Sequence, residues 1–418
     1  MTVHARPDRT LIRATHRSER FVLVDLIAPT APRRTERQPV NLAFVLDRSG
    51  SMSGAKIALA RQAIEAAIAR LHTEDRFAVV AYDEEIDLVT ESTPASPEAR
   101  RAAVERLRDV DARGSTDLAA GWLRGSEQVA LHLAGHGINR VLLLTDGLAN
   151  VGITDPGELE RHAAELRARG VATSTFGVGE DFDERLLQAM ADAGGGHFYY
   201  IAEAAQIADH ITSEVGEVLQ VVARGAAIEI TAADGMEVEP LSPFPVDRGG
   251  NRTHIALGDL VSDQHLAVVI RFRFPYGEIG RQVGALLAVS DVDGSLSVAP
   301  VAISWTYADN AANDAQSRDR MVDRAVGELF AARARQAAVS HNRSGQYAAA
   351  RAALQAVARR IGDYAGDDPQ LMGLLAQLDR DEDQWAAPAP EMARKAAFAA
   401  SSYLARGRSP AGRATRRS

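Results

Sequence analysis

The 418-residue sequence contains no cysteine. Disulfide bonds, thiolate catalysis and cysteine-based zinc sites are therefore excluded. The sequence also lacks an uninterrupted run of about 18 apolar residues, the length that a membrane-spanning helix requires. Met1–Phe21 is polar and rich in arginine, without the apolar core of a signal peptide. These absences predict a soluble, cytoplasmic protein without a membrane span.

Aromatic residues make up only 5% of the sequence, whereas alanine and arginine are plentiful, a bias typical of GC-rich bacterial genes. The formal net charge is −9, which gives the chain no general electrostatic attraction to nucleic acid. We therefore expect no nucleic-acid partner. The length predicts two or three domains, because one domain has on the order of 100–200 residues.

Strand-like and helix-like segments alternate between residues 40 and 222. Apolar runs such as Val40–Leu46 and Arg140–Thr145 predict strands that are buried on both faces. The apolar spacing of Lys56–Leu71 predicts a helix. This alternation predicts an α/β fold with a doubly wound, mostly parallel sheet and helices on both faces. In such sheets, ligands bind at the carboxyl ends of the strands.

The pattern changes near Arg224, where short strand-like segments follow one another between turn signals and predict a β-sandwich. The sandwich has few strands, so we expect the isolated strand Phe21–Ala28 to complete it, which would make the doubly wound domain an insertion. From Asn313 onward the chain is Ala-rich and helical. The predicted divisions are 1–39 (an N-terminal segment whose strand joins the sandwich), 40–222 (the doubly wound domain), 223–310 (the β-sandwich), 311–405 (an α-helical region) and 406–418 (a disordered basic tail).

One tight loop carries a group of hard oxygen ligands. Asp47, Ser49 and Ser51 directly follow the buried strand that ends at Leu46, and Gly50 allows the turn between them. One carboxylate and two hydroxyls aimed at one point suit Mg²⁺, which prefers octahedral oxygen coordination and keeps some of its waters. The Asp-x-Ser-x-Ser spacing therefore predicts a metal site, although short patterns of this kind also recur by chance.

Two further loops strengthen this prediction. Thr116 precedes a predicted helix and offers a hydroxyl, and Asp146 ends another buried strand and offers a carboxylate. All three loops fall at the C-terminal ends of predicted strands or at the N-termini of predicted helices. The alternative is structural, with Asp47 and Ser51 capping the helix near Lys56 and Thr116 capping the next one.

This set of residues resembles the von Willebrand factor A (VWA) family, whose metal-ion-dependent adhesion site (MIDAS) combines Asp-x-Ser-x-Ser with a Thr and an Asp from two other loops. The resemblance covers about residues 40–222, and all five positions are filled. It implies a VWA/Rossmann-like α/β fold of bacterial type with metal ligands at Asp47, Ser49, Ser51 and Thr116. It also implies that Asp146 acts partly through water. Mg²⁺ is the expected ion, and Mn²⁺ and Ca²⁺ are the alternatives.

For three neighbouring residues, the sequence favours a role other than metal binding. We expect Asp117 to cap the helix that follows it, Asp83 to lie in a solvated turn, and Arg48 to be exposed to solvent.

The resemblance implies a protein-binding module rather than an enzyme. In the VWA family, an acidic residue of a partner protein often completes the coordination of the metal. Two alternatives remain open. The first is a metal-dependent hydrolase, which would need a general base beside the ion. The second is an adaptor subunit for a separate AAA+ ATPase. More loosely, the combination resembles other proteins in which a VWA domain lies within or beside a sandwich, including bacterial VWA proteins similar to the inter-alpha-trypsin inhibitor heavy chain and calcium-activated chloride channel group.

Overall fold

A computed structural model describes residues 1–31, 37–133, 135 and 137–416. The chain forms two compact units. One is Ala31–Val221, and the other combines Met1–Thr30 with Val222–Ser418. Residues 32–36 of the predicted N-terminal segment and residues 417–418 of the predicted tail lie outside the described residues.

The strands are, in chain order, β1 (Thr2–Pro7), β2 (Leu11–Arg13), β3 (Ser18–Ile27), β4 (Val40–Asp47), β5 (Arg76–Tyr82), β6 (Ile86–Pro94), β7 (Ile138–Thr145), β8 (Ala172–Val178), β9 (Gly195–Ile201), β10 (Val221–Ala232), β11 (Glu237–Pro240), β12 (Val246–Gly249), β13 (Arg252–Val261), β14 (His265–Phe274), β15 (Gln282–Ser290) and β16 (Val301–Ala308). The α-helices are α1 (Ala55–Ala69), α2 (Pro97–Arg108), α3 (Leu118–Ala130), α4 (Pro156–Ala168), α5 (Glu184–Gly194), α6 (Ile207–Val218), α7 (Asn310–Ala315), α8 (Arg320–Arg343), α9 (Tyr347–Ala365), α10 (Pro369–Trp385) and α11 (Glu391–Ala405).

The unit Ala31–Val221 is built on one sheet with the strand order β6-β5-β4-β7-β8-β9. All neighbouring strands in it are parallel except β5 and β6, which are antiparallel. The predicted doubly wound, mostly parallel sheet is therefore confirmed. The central strand β4 is buried at every position, as expected for a strand covered on both faces.

Alternate residues of β4 serve the two faces of this sheet. Leu42, Phe44 and Leu46 belong to the core that includes α1, α2 and α6. Val45 faces α3, where Gly125 allows a close approach, because a Cβ at Gly125 would lie 2.3 Å from Val45 Cγ2. The strand thus holds its carboxyl end, where Asp47 lies, between two packed layers.

The second unit contains two sheets. One has the order β1-β3-β14-β11 and the other the order β12-β13-β10-β15-β16-β2. Apolar side chains of both sheets form one core, in which Trp305 lies 5.0 Å from Phe272 and 4.9 Å from Phe274 between ring centroids. Strand β3 pairs with β1 on one side and with β14 on the other. Strands β1 and β2 lie in the polar, arginine-rich segment Met1–Phe21, where the composition predicts no strand.

Helices α8 to α11 form the helical part of this unit. Helix α8 packs against α9, α10 and α11, and Trp385 is buried in their shared core. On another side, α8 contacts β3, where the rings of Phe330 and Phe21 meet edge to face at 5.9 Å. None of the helices in the described residues has both the length and the apolar character needed to cross a membrane.

The C-terminal segment differs from the disordered tail that its basic composition predicts. Arg408 is buried, and its guanidinium donates to the carbonyl of Gly412. The amide of His265, at the start of β14, donates to the carbonyl of Thr415 at 2.8 Å. Residues up to Arg416 are therefore held by backbone contacts, which composition alone does not reveal.

Candidate metal centre

Asp47 occupies the last position of β4 and is fully buried. Its Oδ1 accepts a hydrogen bond from the amide of Ser49 at 2.8 Å. Its Oδ2 accepts one from the hydroxyl of Thr145 at 2.6 Å. Thr145 is the last residue of β7, the parallel neighbour of β4, so the two strand ends are joined at the same edge of the sheet.

The two serines form a short hydrogen-bonded chain that leads to Asp146. The hydroxyl of Ser51 donates to Asp146 Oδ1 at 2.6 Å, and the hydroxyls of Ser49 and Ser51 are 3.1 Å apart. Because the single proton of Ser51 goes to Asp146, Ser49 is the donor in the second contact. Ser49 and Asp146 are buried, whereas Ser51, the middle member of this chain, is exposed.

Thr116 reaches the same place from a third loop. The point where a Cβ of Gly147 would lie is 3.5 Å from Thr116 Oγ1 and 3.8 Å from Ser51 Oγ. Backbone hydrogen bonds fix the loops to one another. The amide of Gly50 donates to the carbonyl of Gly114 at 3.1 Å, and the amide of Val151 donates to the carbonyl of Thr116 at 3.3 Å. The structure thus brings the five predicted ligand residues to one edge of the sheet.

The capping alternative is wrong for these residues. Helix α1 has Gly54 at its N-cap and no side-chain capping bond. Helix α3 is capped by Asp117, whose Oδ1 accepts from the amide of Ala120 at 2.9 Å. The expectation that Asp117 caps this helix is confirmed, and Thr116 does not perform that role.

Two expectations about the rim of the site are also wrong. Arg48 is buried and donates to Asp87 at 2.5 Å, and Asp83 is buried and accepts from Arg113 at 2.7 Å. Arg113 additionally pairs with Glu85 at 2.7 Å. The sequence alone could not reveal these contacts, because Arg113 comes from a separate loop and lies 30 positions after Asp83. Buried charges are stable here because each has a partner.

Burial and, to a smaller extent, the nearby charge of Asp146 raise the pKa of Asp47 to about 6, although hydrogen bonds from Thr145 and Ser49 oppose the shift. Among the residues that the structure describes, Asp47 forms no ion pair with a basic side chain. A buried carboxylate of this kind is costly unless a cation approaches it. The carboxylates and hydroxyls around it are the hard oxygen donors that Mg²⁺, Mn²⁺ and Ca²⁺ accept, so the residues present fit a divalent metal ion.

Sequence reasoning missed two residues that shape the centre. Thr145 holds Asp47, and Lys56 forms an ion pair with Asp146 Oδ2. Thr145 directly precedes Asp146 at the end of a predicted strand, and this adjacency was the available signal. Lys56 is the second residue of α1. A lysine in an amphipathic helix gives no sign that it reaches a neighbouring loop.

A second polar cluster lies elsewhere in this unit. His197, Glu214 and Glu217 offer ligand atoms within 4.8 Å of one another. However, Glu214 accepts from Arg140 at 2.7 Å and from Tyr199 at 2.6 Å, besides its contact with His197 at 2.9 Å. Its charge is therefore neutralised by a buried guanidinium, and we interpret the cluster as a structural polar network.

The mostly parallel sheet and the polar loops at the carboxyl ends of β4 and β7 agree with the family that the sequence matches. Residues 41–213 match the family of the von Willebrand factor type A domain. The α/β unit therefore contains a VWA domain.

Parts of this chain are similar in sequence to known proteins. It is 35% identical to the uncharacterized protein YfbK of Escherichia coli (strain K12) over 211 residues, which are 50% of this chain and 36% of that protein. It is 31% identical to the inter-alpha-trypsin inhibitor heavy chain H3 of Rattus norvegicus over 170 residues, which are 38% of this chain and 19% of that protein. The chain thus spans well under half the length of both relatives.

Solved structures resemble nearly the whole chain. The von Willebrand factor type A protein from Catenulispora acidiphila superposes with a TM-score of 0.71 at 20% identity, covering 92% of this chain and 88% of that one. The likeness concerns the fold, and it extends beyond the VWA domain to the second unit.

Proposed function

We propose that Asp47, Ser49, Ser51, Thr116 and Asp146 hold a divalent metal ion, with Mg²⁺ as the first expectation, and that this ion captures an acidic residue of a partner protein. The observation that carries the proposal is the fully buried Asp47 carboxylate, which has no basic partner among the described residues and lies among hydroxyl groups. A divalent ion would supply the missing positive charge.

The surroundings of these residues suit a protein partner. Ser51 is exposed, so an ion held beside it would be accessible from solvent. The loop after Asp146 presents Leu148 and Val151, which are 49% and 38% exposed. Exposed apolar side chains beside a charged centre could add buried area to a contact whose specificity comes from the ion. The ion itself would supply the electrostatic attraction for a carboxylate.

The neighbouring carboxylates favour binding over hydrolysis. A metal-dependent hydrolase needs a general base that is free to take a proton from water. Asp83 pairs with Arg113, Asp87 pairs with Arg48, and Asp117 caps α3. These engaged groups are poor candidates for that base, and we propose a non-enzymatic role. A separate AAA+ ATPase stays a predicted alternative partner.

Affinity capture with the full chain tests the proposal. The immobilised protein would be exposed to a bacterial lysate with Mg²⁺ or with EDTA, and captured proteins would be identified by mass spectrometry. Asp47→Ala, tested with Mg²⁺, removes the central carboxylate. Asp111→Ala, tested in the same way, is the matched control, because the Asp111 side chain is 85% exposed and belongs to the same unit.

We expect a protein that is retained by the wild type and by Asp111→Ala with Mg²⁺, and lost with EDTA and with Asp47→Ala. Restoring binding with purified components would then identify the partner, and substitution of its acidic residues would locate the captured carboxylate. If the same proteins bind in all four arms, metal-dependent capture is wrong.

A further inference from the structure

Lys56 places a positively charged side chain against one of the predicted metal ligands. Its ammonium group forms an ion pair with Asp146 Oδ2 and donates to the carbonyl of Ser51 at 3.3 Å. The other oxygen of Asp146 accepts from the Ser51 hydroxyl at 2.6 Å. Both carboxylate oxygens of Asp146 are therefore engaged by donors of the protein itself.

The residue type at this position is unusual for the chain. Of its 47 basic residues, only Lys56 and Lys395 are lysines. A lysine ammonium is a compact point charge, whereas an arginine guanidinium is a broad planar fork with five donors. Gly179 borders the ammonium on one side, because a Cβ at that glycine would lie in ordinary contact with it at 3.9 Å. A compact cation suits this position between two loops.

The charge of Lys56 changes the electrostatic balance of the centre. The predicted ligands carry two formal negative charges, from Asp47 and Asp146, and Lys56 offsets one of them. A divalent ion in the centre would then retain a net positive charge. Since unlike charges attract and like charges repel over a few ångströms, Lys56 would weaken metal binding while strengthening the attraction for an incoming carboxylate.

We propose that Lys56 offsets the negative charge of Asp146, which weakens metal binding and strengthens the attraction of the bound ion for a carboxylate of the partner. The inference rests on the proposed function, because it concerns the same centre. It assigns to Lys56 a positioning and tuning role: the ammonium holds Asp146 beside Ser51 and keeps that carboxylate from neutralising the ion. The lysine is not itself expected to contact the partner.

The test measures two properties of the full-length protein. Isothermal titration gives the dissociation constant for Mg²⁺. Paramagnetic broadening of the acetate methyl signal by the Mn²⁺-loaded protein reports whether a simple carboxylate reaches the ion. The variants are Lys56→Gln and Lys56→Met, which remove the charge, and Lys56→Arg, which keeps it. Arg101→Gln is the control, because it removes a positive charge from a side chain that is 73% exposed on α2.

We expect Lys56→Gln and Lys56→Met to bind Mg²⁺ more tightly, by roughly tenfold, because the repulsion between ammonium and ion is gone. The same variants should broaden the acetate signal less than the wild type at equal metal occupancy. Lys56→Arg should lie closer to the wild type in both measurements, and Arg101→Gln should match it. Melting curves in EDTA would show which neutral variant remains folded, and either one suffices for the comparison.

Unchanged or weaker Mg²⁺ binding by a folded neutral variant would overturn the role of Lys56, because it would mean that the lysine only supports the loop. Equal acetate broadening at equal occupancy would overturn it as well. Failure of the wild type to bind either Mg²⁺ or Mn²⁺ is a different result, since it would remove the proposed function itself.

Discussion

Ser51 donates a hydrogen bond of 2.6 Å to Asp146, a residue 95 positions later in the chain. The contact exists because β4 and β7 are parallel neighbours, so the loops that follow them leave the sheet at the same edge. Crossovers between parallel strands return each strand to the same direction, and residues that are remote in sequence become adjacent at the carboxyl ends. The candidate centre is therefore a consequence of the sheet topology.

Asp47→Asn should stabilise the metal-free protein. Burial raises the pKa of Asp47 from its ordinary value of 3.8 to about 6, so the ionised side chain is unfavourable in the folded state at neutral pH. Removing the charge, at the loss of one accepted hydrogen bond, should raise the free energy of unfolding in EDTA by about 1–3 kcal/mol. Denaturant unfolding in EDTA measures this, with Asp111→Asn as the control. A destabilised Asp47→Asn protein would show that burial of this charge is not costly.

The stabilisation by Mg²⁺ should depend on pH. Because the folded pKa of Asp47 is raised, the folded metal-free state holds this proton more tightly than the unfolded chain, and its stability falls as the pH rises from 3.8 through about 6. Metal binding needs the ionised carboxylate and gains strength over the same window. The difference in Tm between Mg²⁺ and EDTA should therefore be small near about pH 5 and large near about pH 7.5. A difference that is equal at both pH values would contradict the assignment of Asp47.

The sequence was sufficient to predict the parts of this protein that follow a strong local pattern. Val40–Leu46 is an apolar run, and Asp47, Ser49 and Ser51 follow it as ligand types at a regular spacing. The resemblance to the VWA motif indicated Thr116, which lies between α2 and α3 and follows no strand of the sheet directly. Predicting that Asp146 shares one site with Asp47 required only that parallel strands end at the same edge. That reasoning concerns strand direction and needs no knowledge of side-chain contacts.

The contacts that sequence reasoning missed are those between loops. Arg48 and Asp83 are buried by partners on other segments, and neither partner is evident from local spacing. Strand β2 has only three residues, Leu11–Arg13, and pairs in parallel with β16. So short a strand has no readable periodicity, and only its distant partner makes it a strand.

The exposed apolar residues beside Asp146 should matter for the partner and not for the metal. Substitution of both Leu148→Ser and Val151→Ser removes the 49% and 38% exposed side chains of this loop. We expect an affinity for the captured partner that is weaker by roughly tenfold, since one or two apolar side chains at an interface contribute on the order of 1–2 kcal/mol. Titration of Mg²⁺ should give the wild-type value. Unchanged partner affinity would place the interface elsewhere.

Gly121 is required for the packing of α3 against β5. A Cβ at this position would lie 2.3 Å from Cγ of Tyr82, the residue that pairs with Asp47 across β4 and β5. Gly121→Ala should destabilise the protein by about 1–3 kcal/mol, because the buried ring must move. Urea unfolding checks this value. Gly373→Ala is the control, since a Cβ on that helix meets nothing within 4 Å and should not destabilise.

The most direct test of the metal centre is calorimetric titration of Mg²⁺ into the wild type, Thr116→Val and the control Thr212→Val. Valine keeps the shape of threonine and removes only the hydroxyl, and Thr212 lies on α6, where its hydroxyl bonds to the carbonyl of Ala208. We predict one saturable site in the wild type and in Thr212→Val, and an affinity weaker by on the order of 10–100-fold in Thr116→Val. Absence of saturable binding in the wild type, or equal affinity in all three proteins, would contradict the proposal that these loops hold a metal ion.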